Sequence, residues 1–134
     1  MIVDTSAVFT ILRREPGHSA FEKILDEANS LHMSAATYLE LSIVIDSRRD
    51  PAMSRELDDF LDRFSITIEP VTVEQARIAR QAYRDYGRGS GHPANLNFGD
   101  CFSYALARDQ REPLLFKGDD FAHTDLRAAI GAEV

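Results

Sequence analysis

Cysteine occurs once, at Cys101, so no disulfide can form within the chain, and a reducing, cytoplasmic compartment is expected. No apolar run approaches the roughly 18 residues of a membrane span. The opening MIVDTSAV has no basic stretch, and Asp4 interrupts its apolar run, which argues against a secretory signal and for folded structure from the first residue. Basic residues are in short supply: 15 Lys and Arg stand against 22 Asp and Glu, a net charge of −7. That balance speaks against gripping nucleic acid through bulk charge. It leaves room for an enzyme that meets phosphate through bound cations and a few local arginines. The four histidines are scattered, and no His/Cys spacing of a zinc site occurs. Repeats, low-complexity tracts and long linkers are missing too, so the 134 residues are read as a single domain, 1–134.

What is present is an alternation of short apolar strands and helical segments. MIVD reads as a strand, followed by a helix in TSAVFTILRRE with Thr5 and Ser6 at its start. Pro16 and Gly17 precede HSAFEKILDEA, in which Phe21, Ile24, Leu25 and Ala28 share one face. LHMS is a second strand, AATYLELSIVIDSRR a third helix, and MSRELDDFLDRF a fourth with Leu57, Phe60, Leu61 and Phe64 in register. ITIEPV is a third strand ending at Pro70. TVEQARIARQAYRDY opens with a Thr72-to-Gln75 capping-box pattern. A loop with Gly87, Gly89, Gly91 and Pro93 leads to the helix FGDCFSYALARD and a last strand, PLLF. Apolar strands that do not alternate, separated by helices, point to an α/β fold with a central parallel sheet covered on both faces. Sites in such sheets lie beyond the carboxyl ends of the strands.

Four acidic positions draw attention for that reason. Asp4 ends the first strand, where capping the next helix is the simplest use for it. Glu40 lies in AATYLELSIVI, apolar almost all round and expected to be buried, where an ionised carboxylate needs a salt bridge or a metal. Asp100 sits in the first turn of its helix, favoured there by the dipole, and Gly99 before it allows a close backbone approach. Asp119 and Asp120 follow the last strand in FKGDD, at the sheet end where Asp4 should also lie. Each could be a cap or a solvated turn. Together they would repel and raise one another's pKa. A hard divalent cation with oxygen ligands relieves that conflict and suits phosphoryl chemistry, in which metal-activated water attacks phosphorus.

MIVDTSAVFTIL, SAATYLELSIVI, LNFGDCFSYALA and LLFKGDDFAHTD resemble, in order and spacing, the PIN-domain ribonuclease toxins of VapBC toxin–antitoxin systems. The similarity spans nearly the whole chain. It implies a PIN α/β domain, Mg²⁺- or Mn²⁺-dependent endonucleolytic cleavage of RNA that halts translation, a homodimer, and a VapB-like antitoxin whose C-terminal segment blocks the acidic site. The family's acidic set falls on Asp4, Glu40, Asp100 and Asp119, with Asp120 the alternative for the fourth place. Asp4 and Asp100 are the direct metal ligands, and Thr5 or Ser6 would orient Asp4 or hold a water. Arg13, Arg14, Arg84, Arg88 and Lys117 are candidates for gripping RNA at the rim. Two other readings compete: a Mg²⁺-dependent phosphatase or DNA nuclease, and a PIN-like module that binds RNA or a partner without cutting. The phosphatase lacks its DxD pattern after IVD. The intact acidic set speaks against the silent module.

Overall fold

The computed structural model describes residues 1–129. Four strands, β1 (Ile2–Val3), β2 (His32–Ser34), β3 (Thr67–Glu69) and β4 (Leu114–Leu115), form one sheet in the order β3-β2-β1-β4. Every pairing is parallel, with Ile2 opposite His32 and Leu114, and Val3 opposite Leu115. The chain builds outward from β1 through β2 to β3, then returns to place β4 on the other side of β1. The connection therefore reverses between β1 and β4, and the carboxyl ends of these two strands are where sites in such sheets form.

Six helices cover the sheet: α1 (Thr5–Leu12), α2 (His18–Glu27), α3 (Ala35–Asp46), α4 (Pro51–Arg63), α5 (Val73–Tyr86) and α6 (Phe98–Gln110). Neighbouring strand residues face opposite ways, and the core divides accordingly. Val3 and Leu115 join the cluster formed by the first four helices, including Phe21, Leu41 and Phe60. Ile2 and Leu114 join the cluster of α5 and α6, including Ala82, Leu106 and Tyr104. Both layers come from apolar stripes legible in the sequence.

Three local expectations need correction. The fourth helix starts at Pro51, earlier than the periodic run suggested, because Asp50 accepts the Ala52 N–H as N-cap and proline suits the first turn. At α5 only half of the capping box forms. Thr72 accepts the Gln75 N–H at 3.1 Å, while the Gln75 side chain donates to Asp109 on α6 instead. The third helix is not buried all round. Thr37, Leu41 and Ile45 face inward at four-residue spacing, leaving Leu39 57% and Ile43 58% exposed, with Glu40 among the exposed residues. A stripe this narrow is all that α3 needs where it crosses the core, so its other apolar residues stay on the surface.

Candidate active site

Asp4 follows β1 directly, and its N–H donates to the Leu115 carbonyl at 3.1 Å, which ties it to the end of β4. It caps α1, as its position suggested: Oδ2 accepts the Ser6 N–H at 3.0 Å and the Ser6 hydroxyl at 2.7 Å. Its other oxygen, Oδ1, accepts the Ser103 hydroxyl from α6 at 2.5 Å. Ser103 is itself 3.3 Å from Thr37 Oγ1 on α3. A hydroxyl has one proton; with that of Ser103 given to Asp4, Thr37 is the donor to Ser103. The side chain is only 6% exposed, and three donors hold it in one orientation. Ser6 also accepts the Lys117 N–H at 3.0 Å, joining the start of α1 to the segment after β4. Of the two hydroxyl residues singled out in the sequence, Ser6 orients Asp4, whereas Thr5 Oγ1 is buried without a hydrogen bond among the described residues.

Asp100 lies in the first turn of α6 within a complete capping box. Asn97 accepts the Asp100 N–H at 2.9 Å, and Asp100 Oδ2 accepts the Asn97 N–H at 3.0 Å. Capping uses one of its oxygens. Its carboxyl is pushed up to about 6, chiefly by burial, with the Asn97 N–H lowering it and the negative charges of Asp4, Asp120 and Glu40 adding to the rise. The carboxyl of Glu40 is also raised, first by the packing of its end and then by the charge of Asp4. Although Glu40 as a residue is exposed, its carboxylate rests against Gly99, where a Cβ would overlap it. The close approach that Gly99 permits is thus that of Glu40. Among the described residues Glu40 forms no salt bridge, one of the two ways in which its charge was expected to be met.

Asp119 and Asp120 sit in the exposed turn after β4, just before a short 3-10 turn, Phe121–His123. Buried Phe121 anchors this turn against Phe116, ring centroids 5.2 Å apart. Asp120 is the member of the pair whose charge reaches Asp100; the Asp119 carbonyl accepts the Ala122 N–H. Among the described residues, no three His, Cys, Asp or Glu side chains could chelate an ion on their own. The donor set is nevertheless all oxygen and mutually repelling, which fits Mg²⁺ or Mn²⁺ completed by water or phosphate better than a closed zinc cage. The Cys101 thiol is buried, pushed up to about 11 by burial and by Asp100, so it is not a thiolate nucleophile.

The basic candidates divide. Lys117 stands beside the acidic centre through its backbone link to Ser6, its ammonium donating to the Pro16 carbonyl at 3.1 Å. Arg13 lies 4.1 Å over the ring of Phe9, and Arg14 is exposed. Arg84 lies in the last turn of α5, and Arg88 pairs its N–H with the Leu96 carbonyl, four residues before Asp100.

Sequence reasoning missed Ser103, Thr37 and Asn97. Asn97 was detectable as an N-cap residue three before an acid. Ser103, one turn beyond Gly99, was hidden among small residues. Changing Ser103 to Ala is expected to cost about 1–2 kcal/mol in urea unfolding, since buried Asp4 Oδ1 loses its donor.

The PIN-domain family profile matches residues 1–126. The ribonuclease VapC28 of Mycobacterium tuberculosis is 58% identical over 130 residues, covering 97% of this chain and 98% of its own. Among solved structures, VapC20 of Mycobacterium tuberculosis, a sarcin–ricin loop cleaving toxin, superposes with a TM-score of 0.69 at 18% identity, covering 93% of this chain and 95% of that one. A toxin–antitoxin complex from Klebsiella pneumoniae gives 0.67 at 16% identity, over 90% and 89% of the two chains. At those identities the structures speak for the fold, and the family profile and VapC28 for the lineage. With Asp4, Glu40, Asp100 and the GDD turn gathered around the ends of β1 and β4, the chain belongs to the PIN-domain family, in its VapC ribonuclease branch.

Proposed function

We propose that this protein is an endoribonuclease, the toxin of a type II toxin–antitoxin pair, which cleaves RNA and thereby arrests translation. The observation that carries this reading is the gathering of Asp4, Glu40, Asp100 and the turn of Asp120 at the reversal point of the sheet, where the carboxyls of Asp100 and Glu40 are raised by burial and then by their acidic neighbours. Asp4 and Asp100 would hold a divalent cation, Mg²⁺ or Mn²⁺. Bound there, such an ion polarises the phosphate and makes water more acidic at neutral pH. Asp120 suits the fourth acidic place better than Asp119, because its field reaches Asp100.

The chain's own groups have distinct tasks. Ser6 and Ser103 keep the Asp4 carboxylate fixed, so that it need not reorganise as charge develops. Glu40, on an exposed helix face with its carboxyl raised by the packing of its end and by Asp4, accepts the proton from water attacking in line. Lys117 meets the phosphate at the rim as a point charge. As the water bonds to phosphorus the P–O3′ bond breaks, the departing 3′-oxygen takes a proton from solvent, and the products are a 5′-phosphate and a 3′-hydroxyl.

A VapB-like antitoxin would silence the site by inserting an Arg or Lys among the carboxylates in place of the cation, and the net charge of −7 attracts such a basic segment. A homodimer would cover the exposed Leu39 and Ile43 of α3 and Phe98, 77% exposed, at the start of α6. The decisive experiment maps cleavage ends in total cellular RNA after inducing the wild type and Asp100→Asn. New 5′-phosphate ends should appear with the wild type alone. Their absence, or equal cutting by the variant, removes the ribonuclease reading.

A further inference from the structure

The helices that carry Glu40 and Asp100 meet through two rungs. Thr37 of α3 faces Ser103 of α6. One turn along each helix in opposite directions, Glu40 faces Gly99. The first rung is a hydrogen bond between side chains. The second is a side chain lying on bare backbone, since any Cβ at Gly99 would run into both carboxylate oxygens and the carboxyl carbon of Glu40. Gly99 has no positive φ to account for it, and its position inside the first turn of α6 is one where Ala would serve the helix better. Its use is therefore in the space it leaves. Moreover, the group that fills that space is the far end of a flexible side chain, which a methyl group would displace without disturbing the core.

We propose that Gly99 is a positioning residue: its missing side chain forms the slot that seats the Glu40 carboxylate beside Asp4 and Asp100. This rests on the ribonuclease reading for its functional consequence but not for its geometry. The slot draws Glu40 toward the positive end of α6 and holds it where the charge of Asp4 acts on it. Without the slot, Glu40 sits on an exposed helix face with its long side chain free to turn into solvent.

The test is a double-mutant cycle on the full chain with Gly99→Ala, Glu40→Asp and Glu40→Ala, read by RNA cleavage in Mn²⁺ and, separately, by thermal unfolding without metal. Gly99→Ala should lose cleavage by on the order of 10²-fold, the cost of about 1 Å of misplacement in a catalytic group, with Tm no lower than that of the wild type. The fractional loss should shrink in the Glu40→Asp background, whose carboxylate stops one methylene short of the added methyl. Gly99→Ala should also raise Tm more in the Glu40→Ala background than beside Glu40, because no carboxylate then has to move. Wild-type cleavage by Gly99→Ala, a loss matched by a fall in Tm, or equal effects in all backgrounds would overturn the proposal. If the wild type cuts no RNA, the ribonuclease reading fails by itself, and the thermal cycle still decides the seating of Glu40.

Discussion

Asp4→Asn is expected to reduce RNA cleavage by at least about 10²- to 10³-fold, the scale for loss of one preorganised electrostatic group, while the protein stays folded. Asn caps a helix as well as Asp does, so the bonds that the Ser6 N–H and hydroxyl donate to the side-chain oxygen of residue 4 survive. The cost falls on the other side of the carboxylate. There the Asn amide would face Ser103, which now donates to Asp4 Oδ1 and would have to turn its proton toward Thr37. One rearranged buried hydrogen bond is worth about 1 kcal/mol, too little to unfold the domain. Asp4→Ala is a harsher change, losing both the cap and the partner of Ser103, and should be visibly less stable. Circular dichroism and urea unfolding of Asp4→Asn beside its cleavage rate separate the two effects. Near-native stability with near-native cleavage would show that Asp4 is only a cap.

Under the proposed function, metal and proton compete for Asp100, and this second prediction is expected to show in both stability and rate. Its carboxyl is raised from 3.8 to about 6 in the folded protein, so between about pH 4 and pH 6 the native state binds more protons than the unfolded chain. Stability must then decrease as pH rises through that window, by the linkage between proton uptake and unfolding. Glu40, raised as well, contributes with the same sign. Without metal, the melting temperature of the wild type should therefore fall relative to Asp100→Asn as pH climbs from about 4 past 6. Added Mn²⁺ should reverse the trend, stabilising little near pH 4 and most above pH 6, since it binds the ionised form. Cleavage should vanish in EDTA. In Mn²⁺ it should rise with pH, the inflection moving lower as the ion concentration increases. A wild-type Tm that follows Asp100→Asn across the whole range, with or without Mn²⁺, would mean that no strained acidic cluster exists.

Much of the architecture was legible because the elements are short-range decisions. The stripe Leu57, Phe60, Leu61 and Phe64 made a helix by periodicity alone, and IV and LL made buried strands because both of their faces are covered. The acidic residues stood out for being carboxylates at ends of apolar elements. Where reading along the chain failed, the deciding partner was distant. Glu40 looked buried because α3 is apolar all round, yet the neighbouring elements cover only the stripe of Thr37, Leu41 and Ile45. Gln75 had the spacing of a capping box, yet Asp109, on the next helix, offered its amide a better acceptor.

By itself, then, the sequence determined the alternation of strands and helices, the caps at Asp4 and Thr72, and the candidate carboxylates, because periodicity and capping act within a few residues. Only the tertiary structure decided that β4 returns beside β1, so that Asp4 and the turn carrying Asp120 follow the ends of adjacent strands. It also decided that Ser103 grips Asp4 and that Gly99 leaves room for Glu40. The bond from Ser103 to Asp4 joins residues 99 positions apart, and pairing at such range depends on how packed layers exclude water and match shape, which no local pattern encodes.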